Sequence, residues 1–164
     1  MKTSFIHAQI SDLPKIVDTY NSTIASRLVT ADLDPVSIDS KVKWFYDHNA
    51  DTRPLWIVKV NDKYAGWMSF QNFYGRPAYS GTAEVSIYLN EDQRGKGLGK
   101  ECLRTALSQS PTLKIHTVLG FIFGHNEPSL KLFYQFGFEK WASFPEVANM
   151  DGIYRDLLIL GKKI

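Results

Sequence analysis

The chain has a single cysteine, Cys102, among its 164 residues, so no internal disulfide can form. That suits a reducing compartment and excludes the disulfide-stapled folds of small secreted domains. Histidine is also scarce: His7, His48, His116 and His125 are scattered, no pair has helical metal-ligand spacing, and no metal site is expected. No stretch approaches the ~18–20 apolar residues of a membrane span. The opening MKTSFIHAQISDLPKI alternates and carries Asp12 early, unlike the apolar core of a signal peptide. The net charge of +2 exerts no general pull on nucleic acid, and the basic residues are dispersed without interleaved aromatics. Repeats, low-complexity tracts and linkers are missing too. The segment NFYGRPAYSG (72–81) is too short to divide domains and reads as a loop between strands. The expectation is one soluble, cytoplasmic domain spanning 1–164, with neither membrane nor nucleic acid as partner.

What is present is a globular composition, 44% hydrophobic and 22% charged, on a chain long enough for a substantial core. SFIHAQI (4–10) alternates like a strand. Ser11–Asp12 then offers a cap, Pro14 falls in the first turn, and Ile16, Val17, Tyr20 and Ile24 follow at helical spacing. A second helix is predicted near 37–48, capped by Ser37, with Ile38, Val42 and Phe45 on one face. PLWIVKV (54–60) and KYAGWMSF (63–70) flank Asn61-Asp62, which tolerate left-handed turn geometry, so they predict a hairpin. Residues 80–89 read as another strand. Next come a helix with Leu98, Cys102, Leu103, Ala106 and Leu107 on one side, ending near Ser110-Pro111, and a strand over 114–123. A helix over 128–136 stops at Gly137, and FEKWASF and GIYRDLLIL supply two last strands. The order implies an α/β fold with a mixed sheet rather than a regular doubly wound one.

Between the strand and the helix lies QRGKGLGK (93–100). A helix start exposes unpaired N–H groups at the positive end of its dipole, and glycines allow close backbone approach to an anion. Arg94, Lys96 and Lys100 add charge. A Walker A loop is excluded because Gly99-Lys100 is followed by Glu101, and G-x-G-x-x-G from Gly95 would need glycine at Lys100. What remains is R-x-x-G-x-G across Arg94, Gly97 and Gly99. From the loop alone two readings stay open: a flexible loop with solvated charges, or a pyrophosphate site.

EVSIYLNEDQRGKGLGKECL resembles the central strand, pyrophosphate loop and helix of the GNAT acyltransferases, which bind acetyl-coenzyme A. NEPSLKLFYQFGF (126–138) resembles their second signature, in family order and at family spacing. DLPKIVDTYNSTI, DPVSIDSKVKWF, YAGWMSFQNFYGRPAYSGTAEVSIYL and the closing GIYRDLLIL extend the likeness to the phosphinothricin and methionine sulfoximine N-acetyltransferases. In the last of these, Tyr154 stands where that subgroup has tryptophan. The resemblance implies a mixed, mostly antiparallel sheet, split at the cofactor site and flanked by about four helices. It also implies a homodimer that acetylates a small primary amine, an amino acid or analogue, by direct attack on the thioester. Peptide acetylation and coenzyme binding without turnover are the alternatives.

By the same likeness, backbone groups of Ile87, Tyr88 and Leu89 pair with the pantetheine arm, and Arg94, Gly95, Lys96, Gly97, Leu98, Gly99 and Lys100 hold the pyrophosphate. Asn126 meets the arm near its reactive end, and Ser129 occupies the neighbouring motif position. Glu84 is the candidate general base; without the likeness it would read as a strand-edge carboxylate facing solvent. Phe73, Tyr74 and Arg76 become the candidate acceptor contacts, with Arg76 either gripping a carboxylate or simply an exposed turn residue. Two positions depart from the subgroup. Phe133 stands where a tyrosine or histidine donates a proton to the leaving thiolate, and Tyr134 is turned roughly 100° away, so no general acid is assigned. Tyr74 and Ser80 replace arginines of the substrate loop. Cys102 lies on an apolar helix face and reads as core rather than nucleophile.

Overall fold

The computed structural model describes all residues 1–164. The elements follow the order read from the sequence: β1 (Thr3–His7), α1 (Leu13–Ser22), α2 (Val42–Tyr46), β2 (Leu55–Val60), β3 (Lys63–Asn72) and β4 (Thr82–Leu89), then α3 (Leu98–Gln109), β5 (Thr117–Phe123), α4 (Glu127–Gln135), β6 (Glu139–Met150) and β7 (Ile153–Lys163). The seven strands form one sheet in the order β1-β2-β3-β4-β5-β7-β6. Every pairing is antiparallel except β4–β5, which run parallel.

Local chemistry explains most of the boundaries. Asn61 and Asp62 take φ of 50° and 65°, the left-handed pair of a tight hairpin turn between β2 and β3. Gly137 takes φ +80° and ends α4; the Gly137 N–H donates to the Tyr134 carbonyl (3.0 Å) and the Phe138 N–H to that of Phe133 (3.2 Å). With the Phe138 ring 4.8 Å from that of Phe133, this is a Schellman ending with its hydrophobic contact. The Ser37 hydroxyl accepts the Ser40 N–H at 3.2 Å, as a cap should. Asp12 departs from expectation: it precedes α1, but its carboxylate accepts the Gln9 N–H at 2.9 Å and closes the preceding turn instead.

Several elements differ from their sequence-based bounds; β1 ends at His7 rather than at 10, and β7 runs on to Lys163. The helix placed over 37–48 shortens to a 3-10 turn and five α-helical residues, and Ile38, Val42 and Tyr46 stay exposed. The strand placed from 114 starts at Thr117, because Lys114 turns through φ 59°. β6 runs past Phe144 and Pro145 to Met150, by way of register shifts at two places. Proline is tolerated there because β6 is the sheet edge and the strand bulges.

The alternation of β3 and β4 sends side chains to two cores. Met68, Phe70, Ala83 and Val85 pack with Leu98, Cys102, Leu103 and Ala106 of α3. On the opposite face Trp67 packs with Leu55, Ile57 and the α1 residues Leu13, Ile16 and Val17. Each fully buried large side chain contributes roughly 1.5–3 kcal/mol. Cys102 belongs to the first core, and burial pushes its thiol up to about 12. Ellman's reagent is therefore expected to leave the folded protein untouched and to titrate one thiol in denaturant. A fast reaction in native buffer would place Cys102 outside the core.

Candidate active site

The β4–β5 ladder holds for only three residues: Thr82, Ala83 and Glu84 pair with Thr117, Val118 and Leu119. Past Glu84 the two strands part, and the β4 edge that faces β5 has no strand beside it. Between them lies a cleft of about 1020 Å³. Its walls come from Val85–Leu89 of β4, Gly120–Phe123 of β5, Val147–Met150 of β6 and the segment Leu28–Ala31. That segment is fastened at the Arg27 end. The His125 Nε2–H donates to the Arg27 carbonyl (2.8 Å), and the Arg27 guanidinium pairs with Asp151 (2.7 Å).

The glycine loop closes one end of the cleft. Arg94, Gly95 and Gly99 line it. Gly97, at φ +85°, stands directly before α3, and a Cβ built on it meets nothing within 4 Å, so the helix start lies open to an anion. The Arg94 Nε–H donates to the Leu89 carbonyl at 3.1 Å, while its two terminal nitrogens bond nothing within the chain. Asn126 accepts the Ser129 N–H at 3.3 Å, capping α4, and both residues line the cleft.

On the α1–α2 side of β4 lies a second, smaller pocket of about 240 Å³. Glu84, Ser86 and Tyr88 recur at period two along β4 and line both cavities, so the two spaces meet at Glu84. The Glu84 carboxyl makes neither ion pair nor hydrogen bond within the chain, and burial pushes it up to about 7. Tyr88 lies flat against Trp67, with centroids 4.5 Å apart and planes at 12°, and beside Tyr20 at 5.2 Å. The Tyr20 hydroxyl donates to Asp32 and has the Thr30 hydroxyl 2.5 Å away. Burial, with Asp32 adding to it, pushes the Tyr20 phenol up to about 12, and burial likewise raises that of Tyr88. Both phenols stay neutral at working pH and hold the pocket wall rather than ionise.

A cleft where a strand edge and a glycine-fronted helix converge, with a carboxyl at its head, is joined by a match along the chain. Residues 20–138 match the acetyltransferase (GNAT) family. The chain belongs to that family. As a GNAT member it is an N-acetyltransferase, and it shares 51% identity over 158 residues with YwnH of Bacillus subtilis, covering 96% of each chain. YwnH carries a provisional name as a phosphinothricin acetyltransferase. The L-methionine sulfoximine/L-methionine sulfone acetyltransferase of Pseudomonas aeruginosa is 27% identical over 161 residues, 98% of this chain and 94% of that one. A crystal structure provisionally named as a phosphinothricin N-acetyltransferase superposes with TM-score 0.95 at 49% identity, over 99% and 98% of the two chains. The Sinorhizobium meliloti phosphinothricin acetyltransferase, solved with AcCoA, shares the fold at TM-score 0.92 and 23% identity, over 100% and 89%.

Within this GNAT chain the predicted site residues fall into two groups. Glu84, Ile87, Tyr88, Leu89, Arg94, Gly95, Gly99, Asn126 and Ser129 all border the large cleft. Leu98 is only 1% exposed, packed in the core against β4, and does not line the cleft. Lys96, Gly97 and Lys100 lie on the exposed loop and helix start, outside the cleft wall. Phe73, Tyr74 and Arg76 line neither cavity. The rings of Phe73, Tyr74 and Tyr79 cluster together at 4.4–6.1 Å, and Tyr74 is 77% exposed. Arg53, itself buried, fixes that loop by donating to the Ser80 carbonyl at 2.6 Å.

Phe133 is buried against β5; a Cβ on Gly120 would meet its ring at 2.5 Å. No hydroxyl enters the cleft there. The sequence reading missed Lys41, Trp44, Trp67 and Gln71, which line the small pocket. The local signal was the i,i+3 spacing of Lys41 and Trp44, which puts both on one side of the continuous turn and helix over 39–46.

Proposed function

We propose that this protein acetylates the primary amine of a small molecule, an amino acid or analogue such as phosphinothricin, methionine sulfoximine or methionine sulfone, with acetyl-coenzyme A as donor. The observation that carries the reading is that a large cleft and a small pocket share one half-buried carboxyl. The donor's fit rests on the unpartnered β4 edge past Glu84, which can pair with an amide-bearing arm as a strand would, and on the open, glycine-fronted start of α3. When bound, the donor supplies an activated acetyl carbonyl and a thiolate leaving group.

The residues then act in turn. The α3 start, with Arg94, Lys96 and Lys100 around it, holds the diphosphate. Ile87, Tyr88 and Leu89 align the arm, and Asn126, with Ser129 beside it, borders its reactive end. An ammonium from the small pocket loses a proton to the Glu84 carboxylate, directly or through one water, since alkyl ammonium groups titrate near ~10. With the donor bound, the freed amine would form the C–N bond as the C–S bond breaks, and the second N–H proton shed as the amide forms would pass through water to the thiolate, because Phe133 has none to give. The whole chain acts as one cytoplasmic domain without a metal. It works as a homodimer whose partner helps close the acceptor pocket. The apolar side chains Trp141, Phe144, Val147, Ile153 and Tyr154 exposed on the β6–β7 hairpin favour that assembly.

The test pairs calorimetry with acetyl-coenzyme A and a thiol-release assay on a panel of amines, against a background that a buried Cys102 keeps low. Saturable binding and release with methionine sulfone or a similar amino acid are expected. Release with peptides alone would transfer the activity to protein acceptors. Tight binding with no release would leave a coenzyme-binding module, and no binding at all would overturn the reading.

A further inference from the structure

The small pocket contains one cation. Lys41, immediately before α2, is half-buried, with Nζ 5.2 Å from the Tyr20 ring centroid and 6.0 Å from that of Trp44. It forms no ion pair with any carboxylate of the chain. Its neighbour Lys43 is bridged to Asp47 at 2.9 Å on the exposed side of the same helix, so the difference lies in placement. A lysine ammonium held over two aromatic faces is attracted by the ring quadrupoles, while its protons remain available to an anion. The same pocket holds one anion site, Glu84, and the two do not approach to ion-pair distance.

A pocket of about 240 Å³ with one cation and one carboxyl kept apart, and Trp44 and Trp67 packed edge to face at 5.3 Å, is complementary to a zwitterion with an apolar side chain. It is smaller than the ~300–1,000 Å³ pockets of drug-sized ligands. We infer that Lys41 binds the α-carboxylate of the acceptor amino acid in this pocket, setting its ammonium against Glu84 and its side chain against the tryptophans. This rests on the acetyltransfer reading above and deepens it: Lys41, not Arg76, is the carboxylate contact. Gln71 and Ser86 line the same wall and offer neutral hydrogen bonds beside it.

The experiment compares an amino-acid acceptor with its α-amide on wild-type protein, Lys41→Met, Lys41→Arg and Arg76→Met, in steady-state acetylation and in donor-free binding. Tryptophan fluorescence reads the latter, since Trp44 and Trp67 wall the pocket. A charge-assisted hydrogen bond predicts that Lys41→Met shifts the acid-to-amide ratio of kcat/KM by about 10- to 100-fold, mostly through KM. Lys41→Arg should restore much of it, and Arg76→Met should leave the ratio alone. Comparing ratios between variants cancels the lower amine pKa of the amide.

An unmoved ratio in Lys41→Met, or a collapse in Arg76→Met instead, overturns the assignment while acetylation still stands. If donor-free binding shows the shift but no acceptor is acetylated, the pocket assignment holds and the acetyltransfer reading falls.

Discussion

Glu84→Gln is expected to lower kcat/KM by about 10²–10⁴-fold, the usual contribution of a positioned general base, and to erase a pH limb near 7. A solvent-facing glutamate would ionise near 4.5, and its limb would lie below the working range. Here burial moves the group to about 7, so the carboxylate fraction, and with it the wild-type rate, rises as pH passes through 7. The acceptor ammonium imposes its own rise toward higher pH in both proteins. The informative quantity is therefore the ratio of wild-type to variant rates, which should climb between pH 6 and 8 and then level. A ratio flat across that range would remove Glu84 from the chemistry.

The same substitution has a stability signature of opposite sense. The folded-state pKa of Glu84, about 7, lies above the ordinary 4.5, so between those values the folded state holds a proton that the unfolded chain has released. Stability from this group is fully present below 4.5 and is lost as pH rises through 7. Glutamine escapes that loss. Glu84→Gln should therefore match wild type near pH 4.5 and exceed it at pH 8, by on the order of 1–3 kcal/mol in urea unfolding. A variant that is more stable and less active is the behaviour of a group held ionised for function. A variant that is less stable at pH 8 would mean that the carboxylate is structurally paired.

Legibility in the sequence tracked the range of the interactions involved. The β2–β3 turn rests on Asn61-Asp62 and the end of α4 on Gly137 and Phe138, all within a few residues, and both were readable. The order of elements followed from periodicity together with cap and turn residues. The boundaries that moved were set at a distance. The strand read as FEKWASF stops at Phe144, and only the edge position of β6 lets it continue through Pro145. The cofactor side of the site was legible because the glycine loop and the helix it precedes are contiguous. The acceptor side was not, because the small pocket gathers Tyr20, Lys41, Trp67 and Glu84 from four separate elements. Arg76 stood in the sequence as either a carboxylate contact or an exposed turn residue, and it lines neither cavity.

Gly66→Ala should be among the most disruptive single substitutions of a small residue in this chain. Gly66 sits in β3 opposite Leu89 of β4, next to the place where the β2–β3 register slips at Val58/Lys59. Its φ is +153°, and a Cβ built there would lie 2.2 Å from the Tyr88 carbonyl oxygen and 2.8 Å from the Leu89 Cα. Those are backbone atoms, so no rotamer change relieves the contact. Strained backbone and overpacking together cost about 2–6 kcal/mol, or roughly 5–20 °C in Tm for a chain this size. Relief must come from β4 itself, whose far half has no β5 ladder to restrain it. The displaced residues would be Tyr88 and Leu89, which wall the large cleft. Loss of stability should thus be accompanied by weaker acetyl-coenzyme A binding in calorimetry at a temperature where the variant is still folded. A lower Tm with undiminished affinity would mean that β3 yields instead of β4, and that the cleft does not depend on this close approach of the two backbones.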